Sequence, residues 1–162
     1  MKKYSFILLS GGIGKRMQIN IPKQFLLLAG KPIFIHVLEK VDQIENIGEI
    51  VIPCPKDFIE KTENIIRNYG FSKTIYCIEG GASRQESVFK GLKKAKYENV
   101  IIHEAVRPFV SVHEFEKLIQ CDNESAIYGT DIPFTVLQGK KVVEANLNRE
   151  NLINVQLPHK YD

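Results

Sequence analysis

The chain has 162 residues, 44% hydrophobic and 25% charged, which is enough to bury one core, and we expect a single domain over residues 1–162. A net charge of +3, with no basic run that interleaves with aromatic residues, argues against a nucleic-acid partner. No apolar run approaches the ~18 residues that suggest a membrane span. The odd number and wide spacing of Cys54, Cys77 and Cys121 argue against a disulfide framework or a zinc site. We therefore expect a cytoplasmic protein with no membrane partner.

Short apolar runs alternate with helical patterns along most of the chain. Four runs predict buried strands: Tyr4–Leu9, Glu49–Pro53, Thr74–Ile78 and Asn99–His103. Three sets of apolar residues between them recur at helical spacing: Ile33, Val37 and Val41; Phe58, Ile65, Ile66 and Tyr69; and Val88, Leu92 and Ala95. Strands that alternate with helices imply crossover connections, so the pattern predicts an α/β fold with a largely parallel sheet.

The first predicted strand leads into a glycine loop that contains Gly11, Gly12 and Gly14 and is followed by the basic residues Arg16 and Lys23. Glycines let the backbone approach a ligand closely, and the bare N–H groups of such a turn bind anions. The loop lacks the Gly-Lys-Ser/Thr of a P-loop and the third glycine of the dinucleotide fingerprint. The alternative is a tight turn with solvated basic side chains, but the clustered charge favours a polyphosphate site.

Two more clusters, Gly80–Ser87 and Glu104–Arg107, follow the third and fourth predicted strands. Ligands of parallel sheets bind beyond the carboxyl ends of the strands, so we expect these clusters and the glycine loop to share one edge. Helix starts are predicted by two pairs with the spacing of capping boxes: Ser83 with Glu86, which places a start near Arg84, and Ser111 with Glu114.

Near the C-terminus the pattern changes to that of a hairpin. Phe134–Leu137 and Lys141–Glu144 read as strands on either side of Gln138-Gly139-Lys140, with the glycine in the turn. From the residues alone, a local antiparallel edge and a projecting arm are equally good readings.

Together these segments resemble the cytidylyltransferases that load CMP onto sugar or polyol phosphates, above all those acting on 2-C-methyl-D-erythritol 4-phosphate or ribitol 5-phosphate. The resemblance rests on seven segments in the family's order: Ser10–Gln24, Pro22–Leu26, Gly30–Ile33, Gly80–Val88, His103–Phe109, Asn148–Leu152 and Gln156–His159. It implies a Rossmann-like, three-layer nucleotidyltransferase whose β-arm, at approximately residues 132–155, exchanges with a second subunit in a homodimer.

The implied reaction is attack of a substrate phosphate on the α-phosphorus of CTP with release of pyrophosphate, which requires positioning and charge stabilisation. By the resemblance, Arg16 and Lys23 are the catalytic residues. The nucleotide-binding residues are Ser10, Gly11, Gly12 and Gly14 of the glycine loop, with Gly80, Gly81, Ala82 and Ser87 in the loop that recognises cytosine. Ser87 can instead be a first-turn hydroxyl that satisfies its helix, and Ser83 is assigned to the cap.

The resemblance also implies an acceptor and metal site. Glu104 stands where the family usually has Asp near Mg²⁺, and its longer side chain can still reach a hard cation. Arg107 is suited to hold a substrate phosphate, and Arg149 matches an arm arginine that contacts that phosphate across the dimer. We expect His103 to be a packing residue at the strand end rather than a base.

Three features depart from the family. Glu104 replaces Asp, Leu157 replaces a threonine that contacts phosphate, and the chain is several dozen residues shorter than family members, apparently lacking the C-terminal part. Ser87-Val88 with Gly91-Leu92 favours 2-C-methyl-D-erythritol 4-phosphate as the acceptor, whereas Val106 favours ribitol 5-phosphate in cell-surface polymer synthesis. The other alternative is a nucleotide-binding or dimerisation module with reduced or no catalysis.

Overall fold

A computed structural model describes residues 2–12 and 21–161. Its strands are β1 (Tyr4–Leu9), β2 (Leu27–Leu28), β3 (Lys31–Pro32), β4 (Ile47–Cys54), β5 (Thr74–Glu79), β6 (Asn99–Glu104), β7 (Ser125–Thr130), β8 (Val136–Gln138), β9 (Ala145–Leu147) and β10 (Asn154–Tyr161). Its helices are α1 (Ile33–Asp42), α2 (Ile59–Arg67), α3 (Arg84–Lys94) and α4 (Val112–Gln120), and 3₁₀ turns cover Lys23–Phe25, Lys56–Phe58 and Arg149–Asn151. No helix in these parts of the chain is long and apolar enough to cross a membrane.

Six strands form the central sheet in the order β5-β4-β1-β6-β10-β7. The four strands expected from the apolar runs are parallel neighbours, with Leu9 of β1 aligned to Glu104 of β6 and Cys54 of β4 aligned to Glu79 of β5. β10 pairs antiparallel with both β6 and β7, so the sheet is mixed but mostly parallel. The carboxyl ends of β1, β4, β5 and β6 therefore meet at one edge, as predicted.

The sheet has a helical layer on each face because alternate strand residues point to opposite sides. Phe6 and Leu8 of β1 belong to a core that includes Phe34 of α1 and Phe115 of α4, against which residues of α2 pack. Ile7 and Leu9 form a second, smaller core with Val100 and Ile102 of β6, against which Val88 and Ala95 of α3 pack. This gives the expected three-layer α/β fold, with α3 alone among the described helices on its face.

Both predicted helix starts are present, but one cap differs from expectation. At α4, Ser111 Oγ accepts from the Glu114 N–H while the Glu114 carboxylate accepts from the Ser111 N–H, a complete capping box. At α3, Ser83 Oγ accepts from the Glu86 N–H, but the Glu86 carboxylate binds the N–H of Ala82 instead of Ser83. The periodicity of α3 was also partly wrong, since Leu92 is exposed rather than buried.

The hairpin is present with a different second strand. β8 pairs with β9, so the predicted strand Lys141–Glu144 is wrong: these residues form most of the connecting loop, and the strand begins at Ala145. The Glu144 N–H bonds the Gln138 carbonyl at 2.9 Å, and Gly139 adopts a φ of +129° where a Cβ would lie 2.0 Å from the Val142 carbonyl oxygen. The loop between Gln138 and Ala145 is therefore longer than a tight turn, and it folds back on itself at Gly139.

Candidate functional site

A cavity of about 840 Å³ opens at the shared edge of the parallel strands. Its walls come from Leu9–Gly12 after β1, Lys23 and Gln24, Pro55 and Lys56 after β4, and Glu79–Arg84 between β5 and α3, together with Ser87, Glu104 and Val106. The sheet places these segments together because each follows a strand of the same direction. Nine of the thirteen predicted site residues line this cavity: Ser10, Gly11, Gly12, Lys23, Gly80, Gly81, Ala82, Ser87 and Glu104.

The described start of the glycine loop is held by the sheet and by Gln24. The Ser10 N–H donates to the Pro53 carbonyl at 3.0 Å, and Gln24 Nε2 donates to the Ser10 carbonyl at 2.9 Å. A Cβ on Gly11 would lie 3.8 Å from Ser87 Oγ, so this loop runs close to the start of α3. Gly14 and Arg16 lie outside the described residues, and Lys23 reaches the cavity from a 3₁₀ turn.

The loop before α3 uses its backbone donors internally. The Gly80 N–H donates to the Cys54 carbonyl at 2.8 Å, the Gly81 N–H to Ser87 Oγ at 2.9 Å, and the Ala82 N–H to Glu86 Oε2 at 2.8 Å. Three successive N–H groups, those of Gly80, Gly81 and Ala82, are therefore committed within the protein, and the Gly81 carbonyl, which accepts no hydrogen bond from the described residues, remains as a backbone acceptor that this loop can offer to a ligand.

Side chains of α3 hold the backbone of this loop by hydrogen bonds. Ser87 Oγ also donates to the Ser83 carbonyl at 2.9 Å. The Ser87 hydroxyl thus satisfies the first turn of its helix, which is the alternative to cytosine binding that the sequence left open. Lys90 Nζ donates to the Gly80 carbonyl at 2.8 Å and lies 3.7 Å from the Glu86 carboxylate. A Cβ on Gly81 would overlap the Glu86 side chain at 2.4 Å, so the glycine permits this packing.

Glu104 joins two arginines at the rim of the cavity. Its oxygens lie 3.4 Å from Arg84 Nε and 3.3 Å from Arg107 Nε, and Arg107 Nη1 donates to Gln156 Oε1 at 3.3 Å. Within residues 2–12 and 21–161, no group of three or more His, Cys, Asp or Glu side chains could hold a metal ion. Among the described residues, Glu79 and Glu104 are the two acidic side chains that line the cavity, so a metal here would draw its remaining ligands from elsewhere.

His103 supports the segment after β6 from inside the core. Its ring packs against Phe6 and Phe115, and its Nε2 donates to the Arg107 carbonyl at 3.1 Å. Burial lowers the pKa of His103 to about 4, although the hydrogen bond with Arg107 opposes this change. The imidazole is thus neutral near pH 7, and its surroundings are those of the expected packing residue.

Arg149 lies away from the strand-end cavity in this chain. Its Nη1 donates to the Pro133 carbonyl at 2.9 Å, and it lines a second cavity of about 360 Å³ together with Thr135, Asn146, Leu147 and Asn148. The structure of one chain therefore does not bring Arg107 and Arg149 to the same site.

Several residues at or behind the cavity have no site role predicted from the sequence, among them four polar ones. Gln24 and Lys56 line it, and Glu86 and Lys90 hold the loop before α3. The spacing of Glu86 and Lys90, one helical turn apart, was a readable signal of a pair on one helix face. Nothing in the local pattern marks Lys56, because only the position of β4 in the sheet brings it to this edge.

The chain is similar in sequence to known cytidylyltransferases. The sequence model of the family IspD, 2-C-methyl-D-erythritol 4-phosphate cytidylyltransferase, matches residues 5–162. The 2-C-methyl-D-erythritol 4-phosphate cytidylyltransferase of Clostridium botulinum is 40% identical over 165 residues, covering 98% of this chain and 72% of the relative. A ribitol-5-phosphate cytidylyltransferase of Lacticaseibacillus paracasei is 31% identical, covering 96% of this chain and 70% of the relative.

Solved structures agree with the fold. The crystal structure of 4-diphosphocytidyl-2C-methyl-D-erythritol synthase from Anaerococcus prevotii matches with a TM-score of 0.82 and 28% identity, covering 99% of this chain and 71% of that one. The bifunctional IspDF from Campylobacter jejuni matches with a TM-score of 0.81 and 25% identity, covering 99% of this chain and 41% of that one.

Proposed function

The chain belongs to the 2-C-methyl-D-erythritol 4-phosphate cytidylyltransferase family, and we propose that the strand-end cavity is where it transfers CMP from CTP to 2-C-methyl-D-erythritol 4-phosphate. Membership makes the chain a nucleotidyltransferase, with CTP and a polyol phosphate as substrates and a place in isoprenoid synthesis. We assign the active site to this cavity because the glycine loop and the loop before α3 both line it.

In the proposed reaction, an oxygen of the acceptor phosphate attacks the α-phosphorus of CTP, and the bond from that phosphorus to the bridging oxygen breaks as pyrophosphate leaves. The protein contributes position and positive charge, because the acceptor itself is the nucleophile. We assign charge stabilisation to Lys23, whose place in the cavity wall supports this role, and to Arg16 beyond the glycines. Neutral His103, which is buried behind the site, takes no part in moving protons.

The loop before α3 is suited to select cytosine through a carbonyl group. The peptide bond from Gly81 to Ala82 is trans, so its C=O points opposite to the Ala82 N–H. Since that N–H is bound by Glu86, the Gly81 carbonyl turns away from α3. A carbonyl accepts a hydrogen bond from the amino group of cytosine and repels the carbonyl that uracil carries at the same position.

We propose that Mg²⁺ accompanies the nucleotide and that Glu104 contributes a carboxylate oxygen to it. Mg²⁺ is commonly held by one or two carboxylates plus substrate phosphates, so the Glu104 carboxylate beside the cavity fits this ion. When bound, Mg²⁺ neutralises charge on the triphosphate. Glu104→Gln keeps the size of the side chain and removes its charge, so it should raise the Mg²⁺ concentration needed for activity. An unaltered Mg²⁺ dependence would remove Glu104 from the metal site.

We also propose that the arm, approximately residues 132–155, pairs two chains. Large apolar side chains of this segment are exposed: Phe134, Leu137, Val142, Val143, Leu147, Ile153 and Val155. Exposed apolar surface of this extent is typical of an interaction site. A neighbour's arm would also explain how Arg149, which is remote from the cavity of its own chain, serves an acceptor phosphate. We further propose a cytoplasmic setting, which the free thiols of Cys54, Cys77 and Cys121 support.

Ribitol 5-phosphate is the second candidate acceptor, because a relative that is 31% identical is a ribitol-5-phosphate cytidylyltransferase. The test is pyrophosphate release from the purified chain with CTP and each polyol phosphate, with UTP in place of CTP as the base control. We expect release with CTP and 2-C-methyl-D-erythritol 4-phosphate at a kcat/KM well above that with ribitol 5-phosphate or with UTP. Activity only with ribitol 5-phosphate would reassign the acceptor, and no release with either acceptor would support a binding module without turnover.

A further inference from the structure

Two side chains from the face of the sheet that α1 and α4 cover hold the backbone that carries Arg107. Lys40 of α1 donates from Nζ to the Pro108 carbonyl at 2.5 Å, and His103 donates from Nε2 to the Arg107 carbonyl at 3.1 Å. Two consecutive carbonyl groups are thus bound by donors from different elements. Hydrogen bonds from a charged donor such as an ammonium group are the stronger kind.

The side chain of Arg107 is held much less firmly than its backbone. The Arg107 side chain is about half exposed at 48%, and its contacts to Glu104 and Gln156 are both long, at 3.3 Å. Exposed ion pairs of this length contribute little to fixing a side chain. Phe109, the residue after Pro108, is 86% exposed and adds no packing, whereas Ala105, Pro108 and Val110 are buried and hold the backbone of the segment. The position of the guanidinium therefore depends on where its backbone is fixed.

We propose that Lys40 is a positioning residue for acceptor binding, which acts through the Pro108 carbonyl to set the place of Arg107. This inference rests on the proposed function in that Arg107 contacts the acceptor phosphate. Lys40 is not among the residues that line the strand-end cavity, and it lies 68 residues from Pro108 in the sequence. It bridges α1 to the segment between β6 and α4, whose Pro108 has no N–H of its own to bond.

The pair of variants Lys40→Met and Lys40→Arg tests this role. Methionine keeps an unbranched stem of similar length and removes the donor, whereas arginine keeps a charged donor. In Lys40→Met we expect the KM for the acceptor to rise about tenfold, the scale of losing one hydrogen bond to a charged group. The KM for CTP should change less than twofold, and Lys40→Arg should recover most of the acceptor affinity.

Lys73→Met is the matched control. Lys73 is also a partly buried lysine, but it precedes β5 at the amino-terminal edge of the sheet, opposite the cavity. Its replacement changes the net charge equally. If Lys73→Met raises the acceptor KM as much as Lys40→Met does, or if Lys40→Met raises both KM values alike, general destabilisation explains the effect and the proposal is overturned.

Amide hydrogen exchange of residues 105–110 gives a second readout that does not depend on turnover. Loss of the Lys40 anchor should accelerate exchange in this segment, while Lys73→Met leaves it unchanged. If wild-type protein releases no pyrophosphate, the proposed function fails, and calorimetric affinity for 2-C-methyl-D-erythritol 4-phosphate in the presence of CTP replaces KM. Unchanged exchange in Lys40→Met, or faster exchange with unchanged acceptor affinity, would overturn the positioning role.

Discussion

Lys23 reaches the strand-end cavity from the 3₁₀ turn that follows Pro22. Removing one preorganised charged donor from a transition state typically lowers turnover by two to three powers of ten. We expect Lys23→Ala to reduce kcat by about that factor, measured as CTP-dependent pyrophosphate release. Lys117→Ala on the exposed side of α4 is the control and should leave kcat unchanged. A folded Lys23→Ala protein with normal kcat would remove the catalytic role.

His103 makes stability depend on pH at the level of one residue. Burial lowers its pKa from 6.5 to about 4, so the unfolded chain binds a proton between these values that the native protein does not. The free energy of unfolding should therefore fall as the pH drops from 6.5 towards 4, by about 3 kcal/mol from this group. The stabilisation is present above pH 6.5.

Denaturant unfolding of wild type and His103→Gln at pH 7 and pH 4.5 measures this contribution. The difference between the two pH values should be smaller in His103→Gln, whereas His113→Gln on the exposed surface of α4 should behave like wild type. Carboxylates that do not interact with His103 contribute equally to all three proteins and cancel in the comparison, whereas Glu104 and Glu114, which interact with His103 through their charge, belong to the difference that is measured. Equal pH dependence in wild type and His103→Gln would contradict the buried, neutral imidazole.

At the scale of an element, the N-terminal turn of α3 both caps the helix and orients a loop. Glu86 follows the Ser83 cap and accepts from the Ala82 N–H, the hydrogen bond from which we infer the direction of the Gly81 carbonyl. Helix propensity and loop geometry are thus coupled in one short segment. A change in Glu86 should reach the nucleotide through the backbone without any direct contact.

We expect Glu86→Ala to reduce the ratio of kcat/KM for CTP to that for UTP by about tenfold, the loss of roughly one oriented hydrogen bond. Glu86→Gln retains an oxygen that can accept from Ala82 and should keep most of the selectivity. Glu116→Ala on α4 controls for the loss of a surface charge. If Glu86→Ala discriminates between CTP and UTP as well as wild type does, Glu86 does not orient the Gly81 carbonyl towards the base.

At the scale of the whole molecule, the two arginines assigned to one phosphate lie apart in the same chain: Arg107 pairs with Glu104 at the rim of the strand-end cavity, whereas Arg149 lines the second cavity. A twofold dimer in which each arm serves the neighbour's site resolves this separation. Mixing inactive Arg107→Ala with inactive Arg149→Ala should then restore activity, because a hybrid dimer contains one site with both arginines. No recovery despite demonstrated subunit exchange would place the arginines in the same subunit's site or outside it.

Much of the parallel half of the fold was predictable from local pattern. β1 matches its apolar run from Tyr4 to Leu9, and the other three runs differ from β4, β5 and β6 by one or two residues at their ends. A strand buried on both faces is a largely apolar segment, so β1, β4 and β6 are visible without knowing their neighbours. The expectation of a buried strand is wrong for β5, which lies at the edge of the sheet and has no fully buried residue. The same reasoning placed three loops at one edge, and the cavity lies there.

β10 could not be predicted in this way, although it lies inside the sheet between β6 and β7. Its sequence contains Pro158, His159 and Lys160 and has no apolar run. Lys160 is nevertheless only 1% exposed, and its Nζ donates to the Cys121 carbonyl at 2.6 Å. The hydrogen bond that stabilises this ammonium group comes from a residue 39 positions away, and no local pattern encodes it.

The sequence by itself determined the parallel strands, the helix starts at Ser83 and Ser111, the edge at which the glycine loops gather, and the family. Each of these depends on residues close together in the chain or on motifs in a known order. The tertiary structure alone decided that Ser87 and Glu86 bind the loop from behind, that Lys40 holds Pro108, and that Arg149 is remote from the cavity. These features depend on long-range packing, because the direction of each side chain is set by residues that are distant in the sequence and become its neighbours only when the chain folds.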